Sequence, residues 1–350
     1  MHGLTDAHFA IFGMSTNIRV TSLGFFNYWD FSEPLAAPFA ALAAGGMQLK
    51  ELAIELTIIE EERRGDEYDD GEDEYDAPER YRLTDACLPA ISNFVNLEEF
   101  YLGNAADVTD GGLCCLALCT NLRSIKVIDC RKVSGCFLNT ITKSCPLLRK
   151  VGMDFVNYNQ QTQEFPPDLS VISANCPLLE EIDLPFGNDD DVRSLVRGCT
   201  LLRCMRFTSY DLSSASIKAI AGGLPAIEEL ILPGSVWTDE GLRCLATGAC
   251  AKHLRAVVPY CGVWAHQKNM AKGVTEAGIW ALVDSCPRMG TLRCFGIMDK
   301  GLLSVLCSRG IRHHHLEGRK EYFDLSQRQG MLLRSKSASA RGQAYRSLEW

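Results

Sequence analysis

Sixteen cysteines are the residues of this 350-residue chain most able to do chemistry, because thiolates act as nucleophiles, ligate metals and form disulfides. A zinc site needs close pairs such as C-x-x-C. Here Cys114 and Cys115 are adjacent, whereas Cys87, Cys130 and Cys136 are scattered. Five others recur at one place: Cys119, Cys145, Cys176, Cys199 and Cys286 each stand three residues before Leu122, Leu148, Leu179, Leu202 and Met289. A buried free cysteine behaves as a small hydrophobe, so the cysteines are expected to be structural, with no metal and no cofactor. The adjacent His313, His314 and His315 cannot easily converge on one ion and are expected in a loop. Asp189, Asp190 and Asp191 open a helical pattern, where capping and the helix dipole account for them. The acidic run from Glu60 to Arg80 fails as a calcium loop, because counting from Asp66 puts Tyr68 and Ala77 where carboxylates are required. No nucleophile elbow, glycine-rich phosphate loop or H-E-x-x-H is present. No catalytic residue and no enzymatic activity are expected.

The elements that carry these residues repeat. LTDACLPAISNFVNLEEFYL (83–102) aligns without a gap on LTDAHFAIFGMSTNIRVTSL (4–23) and on VTDGGLCCLALCTNLRSIKV (108–127), and further copies start at Trp237 and Val274. The apolar residue that each landmark cysteine precedes is followed by apolar residues at +3 and +5: Leu122/Ile125/Val127, Leu148/Val151/Met153, Leu179/Ile182/Leu184 and Leu202/Met205/Phe207. The alternation has the period of a half-buried strand, and the T-D-x-G-L stretch has helical spacing with Thr or Asp placed to cap it. Neither element buries its apolar side alone, so about ten units must stack. The expected fold is an α/β solenoid, a horseshoe with a parallel sheet on the concave face and helices on the convex face. It is expected to span 1–311, with a disordered acidic insertion at 60–80 and longer loops near 156–168 and 262–273. Residues 312–350 would form a capping segment and a basic disordered tail.

A unit of roughly 26 residues in which Cys ends the helix and T-D-x-G-L opens the next resembles the cysteine-containing class of leucine-rich repeat. That class is similar to the repeat region of F-box/LRR proteins, the substrate-recognition subunits of Skp1–cullin ubiquitin ligases. The resemblance implies a protein–protein adaptor or scaffold that recognises substrate for such a ligase and meets the Skp1–cullin machinery indirectly. No F-box is legible, since residue 4 already lies in a repeat, which leaves a repeat-only adaptor or a truncated gene model. The alternative is a repeat-built regulator of a partner enzyme such as a GTPase, for which Arg206 is the central candidate to enter the partner's site.

Charge narrows the partner class. The run Glu60 to Arg80 holds twelve acidic and three basic residues, which equals the whole net charge of −9. The remainder has no basic groove for nucleic acid, and no apolar run is long enough to span a membrane. With no secretory signal, the chain is expected to be soluble and cytoplasmic or nuclear. Because the leucines turn inward, intervening strand residues face the concave side. Aromatic and arginine side chains dominate interface hot spots, so the expected partner-binding set is Tyr101, Lys126, Asp154, Phe155, Asp183, Phe186, Arg206, Ile231 and Tyr260. Ten strands spaced about 4.8 Å apart make a ledge of roughly 45 Å.

Overall fold

The computed structural model describes residues 22–26, 49–55, 83–154, 167–208, 211–260, 273–293 and 300–314. Eleven strands form one parallel sheet whose spatial order is the chain order. They are β1 (Ser22–Phe26), β2 (Glu51–Glu55), β3 (Glu99–Gly103), β4 (Ser124–Ile128), β5 (Lys150–Asp154), β6 (Glu181–Leu184), β7 (Cys204–Phe207), β8 (Glu229–Pro233), β9 (Ala256–Tyr260), β10 (Thr291–Arg293) and β11 (Arg312–His314). Between them run α1 (Asp110–Leu113), α2 (Leu138–Ser144), α3 (Leu169–Asn175), α4 (Asp189–Gly198), α5 (Ser214–Gly223), α6 (Asp239–Thr247), α7 (Glu276–Ser285) and α8 (Lys300–Ser308). The early units carry tighter 3₁₀ turns at Asp85–Asn93 and Cys114–Leu118 instead of full α-helices. Pro89 lies inside the first of these and removes a backbone donor.

The ladder runs one strand beyond the expected ten. Arg312 and the backbone of His313 and His314 pair with Thr291, Leu292 and Arg293, so the first two histidines continue the sheet where a loop was expected. The repeats therefore pass the boundary at 311. The acidic insertion, most of the two longer loops, Phe155, His315 and the tail lie outside the described residues.

The +0, +3 and +5 positions build one interior. Leu97/Phe100/Leu102, Leu122/Ile125/Val127, Leu179/Ile182/Leu184 and Leu202/Met205/Phe207 are all essentially inaccessible to solvent and belong to one continuous core. The register is strict, with Leu52, Phe100, Ile125, Val151, Ile182, Met205, Leu230 and Val257 in line across eight strands. A one-residue slip in any strand would turn its leucines outward.

All fourteen described cysteines are free thiols. The landmark cysteines stack, and their thiols donate to carbonyls of the preceding unit: Cys145 to Cys119 O at 3.4 Å and Cys199 to Cys176 O at 3.4 Å. Burial pushes Cys119, Cys176, Cys199 and Cys286 up to about 12, so these thiols are unreactive at neutral pH.

The T-D motif has a division of labour. Thr109, Ser213 and Thr238 cap their own helices, accepting from Gly111 N, Ala215 N and Gly241 N. The aspartate reaches forward to the next unit. Asp85 accepts from Thr109 N and Oγ1 (2.8 and 2.6 Å), Asp110 from Ser134 N and Oγ (2.7 and 3.0 Å), and Asp239 from Thr275 N and Oγ1 (2.7 and 2.6 Å). The glycine of the motif makes room for this clip: a β-carbon at Gly112 or Gly278 would collide with the carboxylate of Asp85 or Asp239. The three neighbouring aspartates of α4 likewise separate. Asn188 and Asp191 form a capping box, Asp190 pairs with Arg193, and Asp189 accepts from Ser213 and Ser216 of the next unit. Charge-assisted bonds of this kind contribute about 1.5–3 kcal/mol each.

Candidate functional site on the concave sheet face

The residues between the leucines form rows across the sheet. One row reads Glu51, Glu99, Ser124, Lys150, Glu181, Cys204, Glu229 and Ala256, and the next reads Ala53, Tyr101, Lys126, Gly152, Asp183, Arg206, Ile231 and Val258. Five of the expected binding residues, Tyr101, Lys126, Asp183, Arg206 and Ile231, thus stand in a single row on β3, β4, β6, β7 and β8. Asp154 is exposed at the end of β5 opposite Ile128. Tyr260 is half-buried at the end of β9 opposite Pro233.

Two expectations change. Phe186 belongs to the core, packed where a β-carbon on Gly135 would lie 3.0 Å from its ring. It lies two residues beyond Leu184, so it keeps the inward parity of that strand. Ile231 is on the concave side, yet only 7 % exposed, as are its counterparts Ala53, Ser124 and Ile128 (9, 7 and 8 %). These positions of the ledge are covered, while Tyr101, Arg206 and Val258 in the same row stay half-exposed.

The centre of the row is an ionic network. Arg206 Nη1 donates to Asp183 Oδ2 at 2.6 Å, and Lys150 Nζ pairs with Glu181 Oε1 at 3.0 Å. Arg206 Nε is buried without a hydrogen-bond partner among the described residues. Half-burial pulls Lys126 down to about 8, although Asp183 and Asp154 favour its charged form and Arg206 opposes it. Burial likewise pushes Asp183 up to about 6, outweighing the attraction of Arg206 and Lys126. Both shifts say that holding this network costs folding energy.

The Asp183 shift sets a measurable sign. Its folded-state value, raised from 3.8 to about 6, means that the native state holds the proton longer than the unfolded chain. The associated stability is present below about pH 4 and is lost as the pH rises to about 6. Asp183→Asn keeps an acceptor for Arg206 and cannot ionise. Urea melts at pH 4 and pH 7 should show the native chain losing about 1–3 kcal/mol relative to the variant between those pH values.

Toward β2 and β3 the face changes character. The phenol of Tyr101 lies over Gly103, where a β-carbon would come within 3.0 Å of its oxygen and 3.4 Å of Glu55 Cγ. Burial raises the phenol well above its ordinary range, with Glu55 and Asp129 adding to the shift. Among the described residues no group of three or more His, Cys, Asp or Glu is placed to hold a metal ion, and no helix is long and apolar enough to cross a membrane.

One feature escaped the sequence reading altogether. The residue after the first apolar position of each unit forms a ladder of mostly alternating charge along the sheet border. Glu98 pairs with Lys50 and Arg123 (2.8 and 3.2 Å), Arg149 with Glu180, and Glu228 with Arg203 and Arg255 (2.7 and 3.3 Å). Burial pushes Glu228 up, yet the hydrogen bonds from Arg203 and Arg255 prevail and hold it below the usual carboxylate range. The signal was present as LK, LE, LR, LR, LE, LR, IE and LR. The ladder stitches neighbouring units, at about 1 kcal/mol or less per exposed pair.

No protein-family model matches the sequence, and no curated protein matches it significantly. A chain from the crystal structure of the Rad7 and Elc1 complex in yeast is similar in structure, with a TM-score of 0.52 and 15% identity, over 87% of this chain and 77% of that one. An internalin from Listeria monocytogenes aligns at a TM-score of 0.46 and 12% identity, over 85% of this chain and 74% of that one. Identities this low speak to the fold. The repeat spacing, the eleven-stranded parallel sheet and the likeness to the Rad7 and Elc1 structure together identify the chain as an α/β leucine-rich-repeat solenoid.

Proposed function

We propose that the chain is a protein-binding adaptor that engages its partner on the concave sheet face. The observation that carries this is the single row Tyr101, Lys126, Asp183, Arg206 and Ile231, crossing six consecutive strands in register. Eleven strands at about 4.8 Å spacing make a face roughly 48 Å long, which suits an interface of about 800 Å² per partner. Keeping a half-buried lysine and aspartate there, at a cost in stability, is what a recognition surface requires and a purely structural sheet does not. The similar structure is that of Rad7 and Elc1 in complex, which favours a protein partner. On the resemblance to F-box/LRR repeats, the finer proposal is substrate recognition for a Skp1–cullin ligase.

The enzyme-regulator alternative loses its main support. Arg206 is tied to Asp183 at 2.6 Å with its side chain 27% exposed, so it lies along the sheet and does not project into a partner's site.

The test is affinity capture from cell extract with the full chain and with Lys126→Met/Asp154→Lys, which leaves the Arg206–Asp183 pair intact. Bound proteins that fall about tenfold or more in the double variant, while its thermal melt is unchanged, support the concave face. Equal recovery by both proteins would refute it. Skp1 and cullin among the proteins lost would support the finer proposal, and their absence would remove it.

A further inference from the structure

The concave face divides into a matched and an unmatched half. In the centre, every cation faces an acid: Arg206 on Asp183, Lys150 on Glu181, and Lys126 beside Asp183 and Asp154. At the β2–β3 end, Glu51, Glu55 and Glu99 have no ion pair or hydrogen bond among the described residues. Register places them around one aromatic side chain. Glu51 pairs with Glu99, Ala53 with Tyr101, and Glu55 with Gly103. The missing side chain at Gly103 leaves the Tyr101 phenol next to Glu55, while Ala53 beside it is small and buried. A half-buried aromatic ring bordered by three carboxylates, of which only Glu99 feels a described cation, Lys150, and that without an ion pair, is the arrangement that receives a cationic side chain, through its face and through charge-assisted bonds.

We infer that the β2–β3 end of the concave face docks a lysine- or arginine-bearing segment of a partner protein, with Tyr101 against the cationic side chain and Glu51, Glu55 and Glu99 around it. This deepens, and rests on, the concave-face function proposed above. Two further observations support it. Burial pushes Glu55 up and Asp129 adds to this, while burial and then Glu51 push Glu99 up against the pull of Lys150. A bound cation would relieve both. In addition, the acidic run of 60–80 begins five residues after β2 in the sequence, and its nine net negative charges favour a basic partner over an acidic one. A nucleic acid is excluded by the same sign.

The test measures binding of a fluorescein-labelled peptide of about twelve residues carrying four arginines to the full chain in roughly 0.15 M salt. A peptide with citrulline for arginine serves as reference. The arginine peptide should bind the native chain at least about tenfold more tightly than the citrulline peptide. Glu55→Gln/Glu99→Gln should weaken it about tenfold and Tyr101→Leu about threefold to fivefold. Asp190→Asn/Glu240→Gln removes two exposed charges elsewhere and should change it less than about twofold. An equal loss in that control, or no preference for arginine over citrulline, would overturn the inference. So would a gain of about fivefold or more when Arg334, Lys336, Arg341 and Arg346 are changed to Gln in the full chain, because the site would then belong to the chain's own basic tail. Thermal melts of all variants separate misfolding from lost contacts. If Lys126→Met/Asp154→Lys still abolishes partner capture while the peptide arm fails, only this inference falls. Failure of both removes the concave-face reading itself.

Discussion

Gly198→Ala is expected to destabilise the solenoid by about 2–3 kcal/mol, against the usual rule that alanine improves a helix. Gly198 closes α4, and a β-carbon there would collide with the backbone oxygen of Ser173 in α3. Backbone cannot rotate away as a side chain can, so the two helices must separate. Gly223 and Gly248 repeat the arrangement in the next two units, approaching Val196 and the Ala221 carbonyl. Gly222, one residue from Gly223 and also helical, has nothing within 4 Å of its missing side chain. Gly222→Ala should therefore stabilise by about 0.5–1 kcal/mol, the intrinsic helix preference. Urea melts of the two variants should move in opposite directions. Stabilisation of both variants would show that helix propensity and not the approach of neighbouring units governs these positions.

Phe207→Ala is expected to cost about 3–5 kcal/mol, the range for truncating a fully enclosed aromatic residue. Phe207 has no solvent exposure and ends β7 near the middle of the sheet. It packs against Gly187, which has φ of +146° and would bring a β-carbon to 3.0 Å from the ring. Because each repeat contacts only its neighbours, the damage should stay local before it spreads. Hydrogen exchange should rise first in β6, β7 and β8, while β3 and β4 keep most of their protection. The transition should also broaden, since a solenoid weakened at its centre no longer melts as one unit. Uniform loss of protection along the sheet would argue for one indivisible folding unit.

The composition of the concave face was partly legible in advance. Period-2 alternation from the leucines assigns Tyr101, Lys126, Asp183, Arg206 and Ile231 to the concave side, and the register places them in one row. The same alternation, carried two residues past Leu184, puts Phe186 inside, so that expectation failed by ignoring parity and not for want of signal. The forward aspartate clip was hidden for a different reason. Thr-Asp before a helix reads as a cap, and nothing local distinguishes an aspartate that binds its own helix from one, such as Asp239, that accepts from Thr275 thirty-six residues later.

By itself, the amino-acid order determined the unit length, the inward set of each strand, the parallel stacking and the structural role of the cysteines. These depend on spacing within one repeat, and a side chain's facing follows from the two-residue strand period and the helical period alone. What only the tertiary structure decided concerns neighbours from different repeats. It settled which carboxylates found a cation among the described residues, as Asp183 did and Glu55 did not, how far Lys126 was desolvated, and that Ile231 was buried. It also carried the sheet through an eleventh strand. Those outcomes arise from contacts between residues about 20 or more positions apart, and their energies depend on distance and burial that no local pattern encodes.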